Sequence, residues 1–325
     1  MKNKLLAFLA AFGLVATVHA VEINDNISIN GFIDGSWTNT DDNTNTNDDN
    51  DLDIDEVELN FIVNAGNVSG EIHIDDNDDG GNLGNIEQAH FSYSLENGLS
   101  ITVGRFGSAL GFEGQDPAGL YTFSRAYDDG TSIYNIGNID GGNGQQVEGL
   151  SLGYSADAFS IAVSAVNGVD AAEEGNGFED DLNVEIALTY TGIENLVLGG
   201  GMHSTSGRTG AAPVANDVDI TNLHAAYTMD KLMLGGEYIN VDEDGAADDL
   251  SAYLILADYD INDKMGIAVR YSEWETAANA ESDRITIAPN YAITDSLGAI
   301  LEYSSAEDNA GNEDDTLAIE LTFTF

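Results

Sequence analysis

Two stretches of alternating acidic and amide side chains have a spacing that could do chemistry: Asp75-x-Asn77-x-Asp79-Gly80 and Asn240-x-Asp242-x-Asp244-Gly245. Oxygens at every second position before a glycine turn can wrap a hard cation. The twelfth positions are Ile86 and Ser251 rather than Glu, so neither stretch completes a helix-loop-helix calcium loop. They read either as weak Ca2+ or Mg2+ sites or as solvated loop carboxylates. No other cofactor is expected. Hydrolytic chemistry would need a histidine beside a nucleophile, and His73, His90, His203 and His224 come with no nucleophile-elbow sequence. A lone polar-face histidine is expected to be a wall residue, so no catalytic residue is assigned and no enzyme activity is expected.

Charge is the stronger signal. The chain holds 9 Lys and Arg against 58 Asp and Glu, a formal net charge of −49. Nucleic acid is excluded as a partner by that balance. Lys2 and Lys4 precede an apolar run from Leu5 to Val18 that ends in Val18-His19-Ala20, the pattern of a cleaved signal peptide over residues 1–20. Its removal would leave 7 basic residues and a net charge of −51 on a single domain, 21–325. Of those seven, Lys231 and Lys264 fall at expected short turns and Arg208 in a long connection. Arg105 and Arg125 flank or lie within the longest connection, and Arg270 and Arg284 sit on polar strand faces.

The elements that must position these groups are strands. After Val21 no apolar stretch approaches the roughly 20 residues a spanning helix needs. Alternation of period two recurs instead: Leu317, Ile319, Leu321, Phe323 and Phe325 alternate with Ala318, Glu320, Thr322 and Thr324. Val57, Leu59, Phe61 and Val63 alternate with Glu56, Glu58 and Asn60, and Val184, Ile186 and Leu188 with Glu185, Ala187 and Thr189. One apolar face and one polar face on every segment suits a ribbon with lipid outside and water inside. Three Pro beside 36 Gly fits paired strands with tight turns, and the absence of Cys excludes a disulfide framework.

Connections alternate in length. Short ones centre on Ala65-Gly66-Asn67, Glu96-Asn97-Gly98, Ala156-Asp157, Gly192 to Asn195, Met229-Asp230, Asn262-Asp263 and Thr294-Asp295. Long acidic ones are expected at 38–53, 76–84, 107–144, 168–180, 205–216, 242–248, 275–282 and 305–313. Short turns at one end and long loops at the other predict an all-β transmembrane antiparallel barrel of about 16 strands around an aqueous channel. The longest connection, 107–144, is expected to fold into the lumen.

This pattern resembles the porins of Gram-negative outer membranes, which share a cleaved signal, sixteen antiparallel strands, a long third loop and a terminal strand ending in Phe. The ending here is Leu321-Thr322-Phe323-Thr324-Phe325. Gly104-Arg105-Phe106-Gly107-Ser108-Ala109-Leu110-Gly111-Phe112-Glu113, then Asp116-Pro117 and Ser124-Arg125-Ala126-Tyr127, is similar to the third-loop region of the superfamily that includes phosphate-selective porins. The resemblance implies that Phe325 is read by the barrel-assembly machinery. It also implies a homotrimer in outer-membrane lipid and lipopolysaccharide, and a pore constriction in which Arg270 and Arg284 on the wall stand opposite Glu113, Asp116, Asp128 and Asp129, with Arg105 and Arg125 flanking or lying within the long loop.

Anion selectivity is not implied, because the basic lining of the phosphate-selective members is missing here. Carboxylate rings favour cations. With Glu56, Glu58, Glu71, Glu185, Glu237, Glu302 and Glu320 expected to face inward, a channel for small hydrophilic solutes and cations is the primary reading. A plugged structural or adhesive barrel, whose acidic loops bind divalent cations or partners, is the competing one.

Overall fold

The computed structural model describes residues 20–43, 49–76, 85–113, 116–127, 146–166, 183–205, 217–246, 248–277 and 280–325. Residues 1–19, which hold most of the expected signal peptide, and Asn77, Asp79, Asp128 and Asp129 lie outside the described residues. Strands β1 (Val21–Asn24), β2 (Ile27–Asp42), β3 (Asp49–Ala65), β4 (Val68–Asp76), β5 (Asn85–Ser94) and β6 (Leu99–Gly107) precede the longest connection. After it come β7 (Gln146–Ser155), β8 (Phe159–Val166), β9 (Asn183–Ile193), β10 (Leu196–Thr205), β11 (Val218–Met229) and β12 (Leu232–Glu243). The last five are β13 (Leu250–Asn262), β14 (Met265–Ala277), β15 (Ala280–Thr294), β16 (Leu297–Asp308) and β17 (Glu313–Thr324).

Each strand from β2 to β17 pairs antiparallel with the next, and β17 returns to β2 through registers such as Ile319↔Trp37 and Phe323↔Ile33. The sheet thus closes as a barrel of sixteen strands, which removes every exposed backbone edge from the hydrocarbon. The short β1 was not anticipated. It turns through Asp25-Asn26 and pairs Val21 with Ile29 on the β2 edge that β17 occupies further along. Phe325 exchanges two 3.1 Å backbone hydrogen bonds with Gly31, so the barrel's last residue and its first strand follow one another on one ladder.

Facing follows the alternation. On β17, Leu317, Ile319, Leu321 and Phe323 are 39–47% exposed while Ala318 is 0% and Glu320 2% exposed. The apolar row meets lipid and the polar row faces the lumen. Every expected short turn is present, and Asn195 and Asp230 take positive φ (62° and 54°) in two-residue turns, a conformation that Asn and Asp tolerate best among side-chain-bearing residues. Lys231 Nζ and Lys264 Nζ reach the carbonyls of Ile261 and Ile293 at neighbouring turns.

At the other end several connections are shorter than the sequence suggested. Paired strand replaces most of the expected loops 275–282 and 305–313, and β2 and β3 shorten 38–53 to the residues between Asp42 and Asp49. Ladder hydrogen bonds need only backbone groups, so acidic residues continue a strand wherever their side chains remain in water.

Candidate functional site

The described residues of the connection between β6 and β7, 108–113 and 116–127, hydrogen-bond to inward-facing side chains of the barrel wall. The first arm is drawn to β9, β11 and β12 by inward carboxylates and amides. Glu185 accepts from Ser108 Oγ (2.7 Å) and Ala109 N (2.9 Å), Asn222 Oδ1 from Gly111 N (3.4 Å), and Glu237 Oε1 from Phe112 N (2.6 Å). Between these polar clips Leu110 and Phe112 are buried against the wall. Two wall glycines make room for them, because a Cβ on Gly201 would overlap Leu110 and one on Gly235 would overlap the Phe112 ring.

The second arm is held by β14, β15 and β16. Arg270, 1% exposed, spreads its guanidinium over Glu113 Oε1 (2.5 Å), Thr122 Oγ1 (2.7 Å), Ser124 Oγ (2.9 Å) and the Arg125 carbonyl (2.8 Å). Arg284 Nη1 donates to that same carbonyl at 2.8 Å while its guanidinium lies over the Trp274 ring. Glu302 accepts from the backbone N–H groups of Phe123 (2.7 Å) and Ser124 (3.1 Å), and Tyr127 OH donates to Glu237 Oε2. Glu113 ties the arms together, since its other oxygen accepts from Ala126 N at 2.6 Å.

The 3-10 turn Pro117–Gly119 approaches β17 and β2, and Asp116 comes within electrostatic reach of Glu58, His73, Arg125 and Asp75. Crowding by protein pushes the Asp116 carboxyl up to about 7, and the Glu58 carboxylate adds to the push while His73 and Arg125 oppose it. The Asp116 side chain nevertheless remains exposed to the lumen. Arg125 in turn acts electrostatically on Asp34, Glu56 and Glu320, three inward carboxylates of β2, β3 and β17.

Of the residues expected at the constriction, Asp128 and Asp129 lie outside the described residues. Arg270 and Glu113 do meet, but as a buried clasp and not as opposed charges across open water. Arg125 of the loop is the cation within electrostatic reach of carboxylates on β2, β3 and β17. Arg105 is excluded from the lumen: it shares the outer face with Ile101 and Val103 and lies cross-strand from Glu148, because the parity that puts Thr102 and Phe106 inside puts Arg105 outside.

The cation spacings also fare differently from expectation. Asp75 is buried in β4 facing the lumen, and β12 continues through Glu243, so Asp242 stands opposite Asp219 in a ladder with only Asp244 beyond the strand. A straight ladder cannot wrap an ion with Asn240, Asp242 and Asp244.

All seven glutamates expected inward do face the lumen, and three of them, Glu185, Glu237 and Glu302, hold loop backbone. Strand parity gave their direction. Their partners were not legible, since backbone N–H groups of a distant loop leave no mark in sequence.

The family model of Gram-negative porins matches residues 6–311. The chain belongs to that family. This porin shares its sixteen-strand fold with an anion-selective porin from Comamonas acidovorans, at 12% identity over 92% of this chain and 99% of the other, with a TM-score of 0.67. It also resembles the outer membrane channel DcaP of Acinetobacter baumannii, at 13% identity over 94% and 99% with a TM-score of 0.66. In-vitro folded OmpT of Vibrio cholerae, in a trimer form, aligns at 12% identity over 93% and 100% with a TM-score of 0.63. No curated protein sequence matches this chain. The porin is an outer-membrane channel.

Proposed function

We propose that this porin is a passive, cation-preferring channel for small hydrophilic solutes. The observation that carries the reading is the unequal fate of the lumen charges. Arg270 and Arg284 are committed to the loop beside them, whereas Glu56 and Glu71 keep partial exposure on the inner wall of β3 and β4 and Asp116 stands exposed near them, with Asp34, Glu58 and Glu320 buried on the same wall. Net negative charge on the water-filled side concentrates cations and repels anions. Among the described residues, the Ser108 hydroxyl donates to Glu185 Oε2 and His203 Nδ1 lies 3.2 Å from that same oxygen, so hydroxyl and imidazole meet one acid and not each other.

The same reading places the mature start at Val21 after removal of 1–20, Phe325 as the residue met by the assembly machinery, and lipopolysaccharide and lipid around the apolar belt. A homotrimer is part of it, supported by the trimer form of the Vibrio cholerae protein. Reversal potentials of the purified protein in a planar bilayer under a salt gradient test the selectivity. Conducting steps with a cation-positive reversal potential are expected. Anion preference ends the selectivity reading, and the lack of any current favours a plugged barrel.

A further inference from the structure

On the wall across the lumen from the loop's anchors, β3, β4 and β5 bring Glu58, His73 and Glu87 together. His73 Nδ1 lies 3.0 Å from Glu58 Oε1 and 3.9 Å from Glu87 Oε2, and the donor atoms of all three fall within 4.8 Å of one another. Glu58 is 2% exposed. Glu58 Oε1 and His73 Nδ1 are both shut off from water and face each other as a close ion pair without good hydrogen-bond alignment. Two buried donor atoms thus converge on one small space, where a metal ion would take the place of the imidazole proton.

The surroundings hold them in that attitude. His73 Nε2 lies 3.3 Å from Glu71 Oε2, so with an Nε2–H donated to Glu71 the Nδ1 position is the one a metal ion can take in exchange for a proton. Glu87 takes its direction from a bulge: His73 pairs with Gln88 and Ile74 with Ile86, which makes Glu87 the extra residue of β5. The Gln146 side-chain amide donates to Glu87 Oε1 and steadies it.

We propose that Glu58, His73 and Glu87 bind a divalent transition-metal ion, of the zinc class, in the lumen wall. One imidazole and two carboxylates suit such an ion, whose bonds of about 2.0–2.2 Å set tetrahedral donors roughly 3.4 Å apart. The separations of 3.0 and 3.9 Å straddle that value and need only small side-chain rotations. A hard cation such as Ca2+ seeks 6–8 oxygens and gains little from imidazole. A bound dication also offsets the mutual repulsion of two carboxylates in a confined place. The site stands whether or not the channel prefers cations, since it rests on the wall geometry alone.

The test is calorimetric titration of the full mature barrel in detergent with ZnCl2, in enough NaCl to screen diffuse binding to surface carboxylates. One saturable site per chain is expected, resistant to excess CaCl2. His73→Asn and Glu87→Gln should each weaken it at least tenfold, and Glu71→Gln, which frees only the far side of the ring, by about tenfold. Thermal unfolding without zinc shows which variants hold a barrel, and any one folded variant of the three suffices. A wild-type titration without saturation, full competition by calcium, or unchanged zinc affinity in the folded variants would overturn the site.

Discussion

Arg270 is the residue on which the constriction turns. A guanidinium that donates to a carboxylate, two hydroxyls and a carbonyl from a 1% exposed position is replaced poorly by anything else. Arg270→Ala leaves Glu113 and the Arg125 carbonyl facing a hole, and loss of one member of a buried ion pair costs about 3–5 kcal/mol. That loss falls on loop attachment, because the strand ladder around Arg270 is untouched. Single-channel records of Arg270→Ala should therefore show larger, noisier openings from a barrel that still resists heat. Arg270→Lys retains the charge but loses the fork, and its noise should rise part of the way. Asp116 yields a second prediction at this scale. With its carboxyl pushed up to about 7 by surrounding protein, it is charged above that pH and neutral below it. The cation-to-anion permeability ratio should accordingly fall as pH drops from 8 to 6, and Asp116→Asn should flatten that change. A wild-type ratio that rises on acidification contradicts it.

Among elements, strands and loop stand in a particular relation: the wall was legible in sequence and the loop's attachment was not. Alternation at Leu317 to Phe325 or Val184 to Leu188 is a local property, and closure of the sheet follows from every segment having one oily face. Parity told correctly which way Glu237, Arg270 and Glu302 point, and parity would also have excluded Arg105, had its register with Glu148 been traced back from Leu99, Ile101 and Val103. The grip on the loop depends instead on Phe112 meeting Gly235 and on Phe112 N meeting Glu237, contacts over 120 residues apart that no local pattern encodes. The bulge that turns Glu87 inward is hidden for the same reason, since one extra residue in a ladder shows only against its partner strand. Gly235 allows that grip to be tested. A side chain there strikes the Phe112 ring, and overpacking of this kind costs typically about 1–3 kcal/mol. Gly235→Val should expose the 108–127 segment to protease while the strands remain protected. Equal protection of the loop in wild type and variant would show that Phe112 is not a principal anchor.

Across the whole molecule, like charge is the prevailing electrostatic feature. The ladders that extend past the lipid belt set acids directly opposite acids: Glu275 faces Glu281, Glu307 faces Glu313, Asp315 faces Asp41 and Asp219 faces Asp242. Each such pair is destabilising by about 0.2–1 kcal/mol, and the same sign recurs around the rim and across the lumen wall. A barrel tolerates this because its ladder is closed and its apolar belt is continuous, so the repulsion lowers stability without altering topology. Screening should then reverse part of it. The Debye length shrinks from about 30 Å at 0.01 M salt to about 3 Å at 1 M, which removes repulsion between neighbouring pairs along the rim and weakens it within each pair. Heat resistance of the detergent-solubilised barrel, followed by circular dichroism, should rise by several degrees over that range of NaCl. A midpoint that stays level or falls would mean that the rim carboxylates are already neutralised, by protons or by bound cations, before salt is added. Repeating the scan after exhaustive chelation separates those two cases: removal of bound divalent ions should lower the starting midpoint and restore the salt response, while protonated carboxylates should respond only to a rise in pH.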